Sequence, residues 1–524
     1  MKSKCCICFI VFGLSLPLCY GQQRENNFYQ QALQESLIPI HAGIPEKIPF
    51  WNTYSMRFIY APAFEFRSIA DCGSYRFRAL SFSSKQEYTF CATTPWASLS
   101  PIWENIPVGE TFLTVEALDP DGNPVALSGE RKFYRAAVFD SPCNIPKKDY
   151  NNSSKKVLQY IFNLDSVQSW LREKTPDPKY TLYCYPSKSI TAVIEAMILY
   201  AQQEPQNHTK AMQIAERAAD YLISQSEPEN APLAFWPPTY AGDELTAKHN
   251  KGKIMTSINA KTGQVYLDLY DATGKEKYLE AAKGIANTFQ KTQLPSGTWY
   301  TKMLTDGGRP DVRNLSIPIE IITFLDRMVK QHNCTKYQES TNQALEWILV
   351  HPVKTYNWEG QFEDVNPGNA YKEMSLPIPS FTAVYLLQHA DENPEYIPMA
   401  EDIIRFVEDQ FIVWKTPLPY AQRGETTRTW HTPSALEQYS CYTPISSCVA
   451  NAAIMFETAY EVTHKKMYRA KARTLANSLI AKQNADGYIP TGWDTCPPTR
   501  IKYWWVNSAV YDAIMLGDLG KKFE

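Results

Sequence analysis

Residues Ser447–Gln483 read SCVANAAIMFETAYEVTHKKMYRAKARTLANSLIAKQ. The first half, Ser447–Thr463, is apolar on most faces of a 3.6-residue period. After the link HKK (464–466), the segment Ala470–Gln483 carries one apolar stripe. A helix apolar nearly all round belongs inside a protein, and one with a single stripe belongs at its edge. A link this short makes the two helices antiparallel neighbours. The stretch therefore reads as a helical hairpin with one inner and one outer arm.

The same unit recurs from about residue 155 onward. The outer arms are AERAADYLISQ, AAKGIANTFQKTQ, ESTNQALEWIL, AEDIIRFVEDQF and AKARTLANSLIAKQ, with KKVLQYIFNLDSVQSWLRE at the start. The inner arms are SITAVIEAMILYA, NAKTGQVYLDLYDATG, IPIEIITFLDRMV, SFTAVYLLQHA, SCVANAAIMFETAYEVT and NSAVYDAIMLGDL. Regular recurrence marks a repeat architecture. Inner-to-outer links are short (EPQNH, GKEK, HNCT, ENPE, HKK). Outer-to-inner links are long: Ser226–Thr256, Pro295–Leu315, His351–Pro377, Trp414–Ile445 and Asn484–Val506. Long structureless links are uncommon unless functional. If the helices close into a ring, every long link lies on one face. The expectation for residues 155–524 is an all-α (α/α)6 toroid.

Upstream the period changes. MRFIY, YRFRALSF, EYTFCA, TFLTVEAL and RKFYRAAVF alternate or cluster β-branched and aromatic residues around turns such as DPDGNP. They predict a multidomain chain, with an N-terminal antiparallel β-sandwich over residues 45–142. A polar, Pro-containing linker over 143–154 follows it. Within the strands, IWENIPVGETFLTVEALDPDGNPV resembles the fibronectin type III or immunoglobulin-like pattern. Residues 1–21 read as a secretory signal, with Lys2 and Lys4 ahead of the short apolar run Ile7–Leu18 and a small-residue cleavage site at Gly21. The expectation is an exported protein, periplasmic or extracellular, without a membrane span. Cys72 with Cys91 is the expected bridge.

The ring of hairpins resembles the six-hairpin glycosidase superfamily, which also holds related polysaccharide lyases. The resemblance covers about residues 155–520 and implies a carbohydrate-cleaving active site at the mouth of the barrel. Several members carry a β-sandwich beside the toroid. A glucuronidase-like or unsaturated-glucuronyl-hydrolase-like activity is its sharpest form. The DAGD motif of the endoglucanases with an N-terminal immunoglobulin-like domain is absent, which argues against a cellulase.

The content of the long links fits that expectation. Aromatic residues make up 13% of the chain, and rings can stack on the C–H face of a sugar. Trp236, Tyr240, Trp299, Trp358, Trp430 and Trp493 are the candidate platforms. Hydrolysis of a glycosidic bond needs one protonated carboxyl and one carboxylate. Glu437 in SALEQY is the leading acid, flanked by Leu436 and Tyr439 just before an inner helix. Asp243, Asp311, Glu363, Asp364, Glu373 and Asp494 compete as its partner. Arg309, Arg313, Arg423, Arg428 and Arg500 could hold a uronate carboxylate in a fork. The same inventory serves a lyase, with His431 or Tyr439 as base and Arg428 neutralising the acid group. It also serves a non-catalytic carbohydrate-binding protein. With 52 basic against 55 acidic side chains, the chain lacks the basic footprint of a nucleic-acid binder. The expected partner is an oligo- or polysaccharide. No metal-ligand spacing or nucleotide motif is visible, and no cofactor is expected.

Overall fold

The computed structural model describes residues 19–140, 149–243, 245, 248–311, 314–363, 368–415, 432–438, 444–493 and 504–523. Helix α1 (Cys19–Ser36) comes first. Seven strands follow: β1 (Arg57–Phe58), β2 (Ala63–Glu65), β3 (Ser74–Ser81), β4 (Glu87–Ala92), β5 (Trp96–Ser98), β6 (Gly109–Leu118) and β7 (Pro124–Arg135). Five form one sheet in the order β1-β7-β6-β3-β4, and β2 pairs only with β5. β1 runs parallel to β7, while the other pairs are antiparallel.

The expected N-terminal antiparallel β-sandwich is thus corrected to a mixed five-stranded sheet beside a mostly helical, toroid-like body. Alternation along β3 and β6 does bury one face, through Phe77, Ala79, Leu113, Val115 and Ala117. A period of two, however, does not say what covers that face. The cover includes single rings: Phe58, Phe64 and Trp103 of the short helix α2 (Ser100–Trp103) gather round Phe133 of β7. The MRFIY segment stays a two-residue strand because its next donors go elsewhere. The N–H groups of Ile59 and Tyr60 donate to Asp409 Oδ1 at 2.5 and 2.9 Å. The Arg57 guanidinium donates to the carbonyls of Asp409 and Ile412. Cys72 and Cys91 are both free thiols, so the expected bridge is not formed.

The remaining helices are α3 (Tyr150–Asn163), α4 (Asp165–Gln168), α5 (Pro186–Gln203), α6 (His208–Gln225), α7 (Thr256–Thr273), α8 (Glu276–Thr292), α9 (Ile319–Lys330), α10 (Gln338–Val350), α11 (Pro352–Thr355), α12 (Pro377–Gln388), α13 (Tyr396–Phe411), α14 (Ser446–Thr463), α15 (Lys466–Ile480) and α16 (Val506–Phe523). Their packing closes a circle: α5 lies on α7, α7 on α9, α9 on α12, α12 on α14, α14 on α16, and α16 on α5. Each inner helix has its outer partner: α6, α8, α10, α13 and α15 follow α5, α7, α9, α12 and α14, and α3 packs on α16.

Burial follows the sequence pattern. α15 buries one stripe, Met467, Tyr468, Lys471, Ala472, Leu475, Ala476 and Leu479. α14 is buried on most faces. The short link after α7 turns at Gly274, whose φ of +65° is the left-handed cap glycine tolerates best. In the long link after α8, Gly297 holds φ +93°, and a Cβ there would collide with the carbonyl oxygen of Gln343 on α10. Gly297→Ala is expected to cost about 1–3 kcal/mol, read as a lower urea midpoint at unchanged slope.

Candidate active site

A cavity of about 160 Å3 lies at the ring axis, and all six inner helices line it. Their first turns supply Ser187 and Lys188 (α5), Ser257 (α7), Glu320 (α9), Pro377 (α12), Ser447 (α14) and Asn507 (α16). One turn deeper stand Thr191, Lys261, Phe381, Asn451 and Tyr511. The links after α10 and α13 bring Gln361, Phe362, Glu363 and Glu437 to the same space. Inner helices starting side by side explain this. Each presents its N-terminal turn to the axis, and each N-terminus carries a partial positive charge that favours carboxylates there.

Backbone pairing fixes Glu437. β10 (Ile412–Val413) pairs with β11 (Ser434–Ala435), and Leu436 N donates to Phe411 O at 2.9 Å. The carbonyl of Glu437 itself accepts from Leu376 N at 3.0 Å. Burial pushes the Glu437 carboxyl up to about 7, against the Lys188 charge and with the help of Glu363. Glu363 is also held through its backbone: its carbonyl accepts from Tyr240 Oη and from Asn250 Nδ2. Its carboxylate forms an ion pair with Lys188, whose Nζ lies 5.3 Å from the Trp505 ring centre. Burial pushes Glu363 up too, but the ion pair and the Lys302 charge outweigh it and leave the carboxyl below its ordinary value.

On the far wall, burial raises Glu320 to about 7 against the pull of Lys261 and a hydrogen bond from Ser257. Lys261 donates to Glu195 at 2.6 Å and lies 5.6 Å from the Tyr511 ring centre. Burial pushes the Tyr511 hydroxyl up to about 12.

The sequence-predicted residues divide sharply. Glu437 and its candidate partner Glu363 meet in the cavity. Asp243 is exposed and paired with Lys251, and Asp311 pairs with Lys253 at 2.8 Å; neither lines the cavity. Trp236, Trp299, Trp358 and Trp493 are at most 2% exposed and belong to the apolar core. Trp236 and Trp299 both pack on Phe289 of α8. Tyr240 is buried beneath the site, where it holds Glu363. Arg309 is exposed and does not line the cavity. Arg313, Arg428, Trp430, His431 and Tyr439 lie outside the described residues, as do Asp364, Arg423, Asp494 and Arg500.

Sequence reading passed over Lys188, Glu195, Lys261, Glu320, Phe381 and Tyr511. A signal was present: Glu195, Lys261 and Glu320 are charges set inside otherwise apolar inner helices, where an unpaired charge would be costly. Among the described residues no His, Cys, Asp or Glu cluster could hold a metal ion. No helix there is long and apolar enough to cross a membrane.

Ring, mouth and cavity define a toroid-like helical scaffold with a carboxyl-lined pocket on its axis. No known sequence family matches the chain, and no curated protein matches it. Solved structures do match the fold. A GH76 α-mannanase of Bacteroides thetaiotaomicron aligns at 12% identity and TM-score 0.48, over 72% of this chain and 96% of that one. The cellobiose 2-epimerase of Spirochaeta thermophila aligns at 13% and 0.47, over 67% and 89%. An unsaturated glucuronyl hydrolase of Streptococcus agalactiae aligns at 9% and 0.45, over 72% and 92%. These neighbours differ among themselves in reaction, and at such identities they do not choose one for this chain.

Proposed function

We propose that this protein hydrolyses a glycosidic bond, with Glu437 as general acid and Glu363 as the carboxylate opposite it. One observation carries the reading. Two carboxyls share the cavity and the same lysine, yet their environments drive their proton affinities apart, up to about 7 for Glu437 and below the ordinary value for Glu363. Such separation is how a site holds an acid and a base at one pH.

Glu437 gives its proton to the leaving oxygen as the C1–O bond breaks. The ionised Glu363 stabilises the positive charge growing at C1, and water completes the bond. The anomer first released tells attack by Glu363 from attack by a water that it activates. Elimination with Tyr511 as base is disfavoured, because a hydroxyl raised to about 12 gives little anion at neutral pH. Both cavity lysines have carboxylate partners, so a uronate is not part of this proposal. Export through the segment read as a signal remains part of it.

The test is the pH–rate profile on a panel of oligosaccharides, followed as reducing sugar and as absorbance of a C4–C5 double bond. Reducing ends should appear without new absorbance. Because Glu437 works protonated, kcat should fall as pH rises past about 7. It should fall again in acid as Glu363 takes a proton. New ultraviolet absorbance would replace hydrolysis with elimination.

A further inference from the structure

We propose that Phe381 and Tyr511 form the floor of a subsite for one terminal, non-reducing pyranose residue, so that the chain is cut from its end. This rests on the glycosidase reading and extends it to the mode of attack. Phe381 stands in the second turn of α12 and Tyr511 in the second turn of α16. Their rings are near-parallel, 25° apart with centroids 6.3 Å apart. Both side chains line the cavity and keep partial exposure there. They are the aromatic faces that the buried tryptophans of the long links do not offer.

Depth and width point to a single sugar. Glu320 and Lys188 sit in first turns, and the two rings sit about one turn below, roughly 5.4 Å along a helix. The cavity volume of about 160 Å3 is well short of the roughly 300 Å3 at which pockets for drug-sized ligands begin. A sugar lying on the rings would turn its hydroxyl rim to Lys261, Glu195, Glu320 and Asn451, all of which line the same space. Its C1 would face upward to Glu437 and Glu363. A helix-walled pocket with a floor admits a chain end and excludes a chain passing through.

The experiment is titration calorimetry on Glu437→Gln, which keeps the shape of the site but not its acid. The probes are methyl pyranosides of glucose, mannose and galactose with their di- and trisaccharides. Phe381→Leu in the same background keeps volume and removes the aromatic face, and circular dichroism checks both variants. At least one methyl pyranoside should bind, lengthening it should add less than about tenfold, and Phe381→Leu should weaken it about tenfold. Binding that needs three units, or that ignores Phe381→Leu, overturns the floor subsite. The glycosidase reading then survives on loss of cleavage in Glu437→Gln. If no probe binds and the wild-type protein cleaves none, both readings fall.

Discussion

Glu437→Gln lowers kcat by about 10³-fold, within the range that a positioned general acid contributes, and leaves KM nearly unchanged. Gln matches Glu in shape and has no proton to give. The backbone around residue 437 is held by the β10–β11 pair and by Leu376 N, so the substitution removes chemistry without moving the loop. The alkaline fall near pH 7 should vanish with it, because burial of this one carboxyl produces that limb. Asp243→Asn and Asp311→Asn are the controls. Both carboxylates lie outside the cavity in ion pairs of their own, and kcat should not follow them. Measuring kcat and KM for the three variants on one cleaved oligosaccharide decides it. An unchanged kcat in Glu437→Gln ends the proposed mechanism and leaves a sugar-binding protein.

Lys471→Met should destabilise the fold by about 3–5 kcal/mol, the cost of leaving a buried charge without its partner. Lys471 Nζ lies 2.6 Å from Glu408 Oε2, with the side chains 1% and 2% exposed. Glu408 also accepts from Tyr60 Oη at 3.0 Å and from Trp414 Nε1 at 2.8 Å. This one carboxylate therefore ties together the segment after β1, helix α13 and helix α15. Replacing both partners, Lys471→Met with Glu408→Leu, should restore most of the loss, since two apolar groups need no partner. Urea unfolding of the singles and the double gives the coupling directly. Equal midpoints for Lys471→Met and wild type would mean that the pair contributes nothing net.

The helical hairpins were legible because the apolar period differs between inner and outer arms. α14 and α15 form as the quoted stretch reads them. The N-terminal region was legible only as strands. Alternation marked the buried faces of β3 and β6, but the donors of Ile59 and Tyr60 go to Asp409, about 350 residues away, and no local pattern announces that. At the site, Glu437 stood out as a carboxyl among apolar neighbours ahead of an inner helix. The tryptophans misled because an aromatic ring in a loop can serve a ligand or the core with the same sequence. Here Trp236 and Trp299 close over Phe289.

By itself, then, the sequence determined the repeat, the inner and outer arms and the links that would gather at one end, since these follow from periodicity and link length. Only the tertiary structure decided that α16 meets α5, that the sheet is mixed, and that Lys188, Glu363 and Glu437 share one cavity. Those are relations between residues far apart in the chain. Ring closure, burial and ion pairing settle them together, and none of the three can be read from neighbours in sequence.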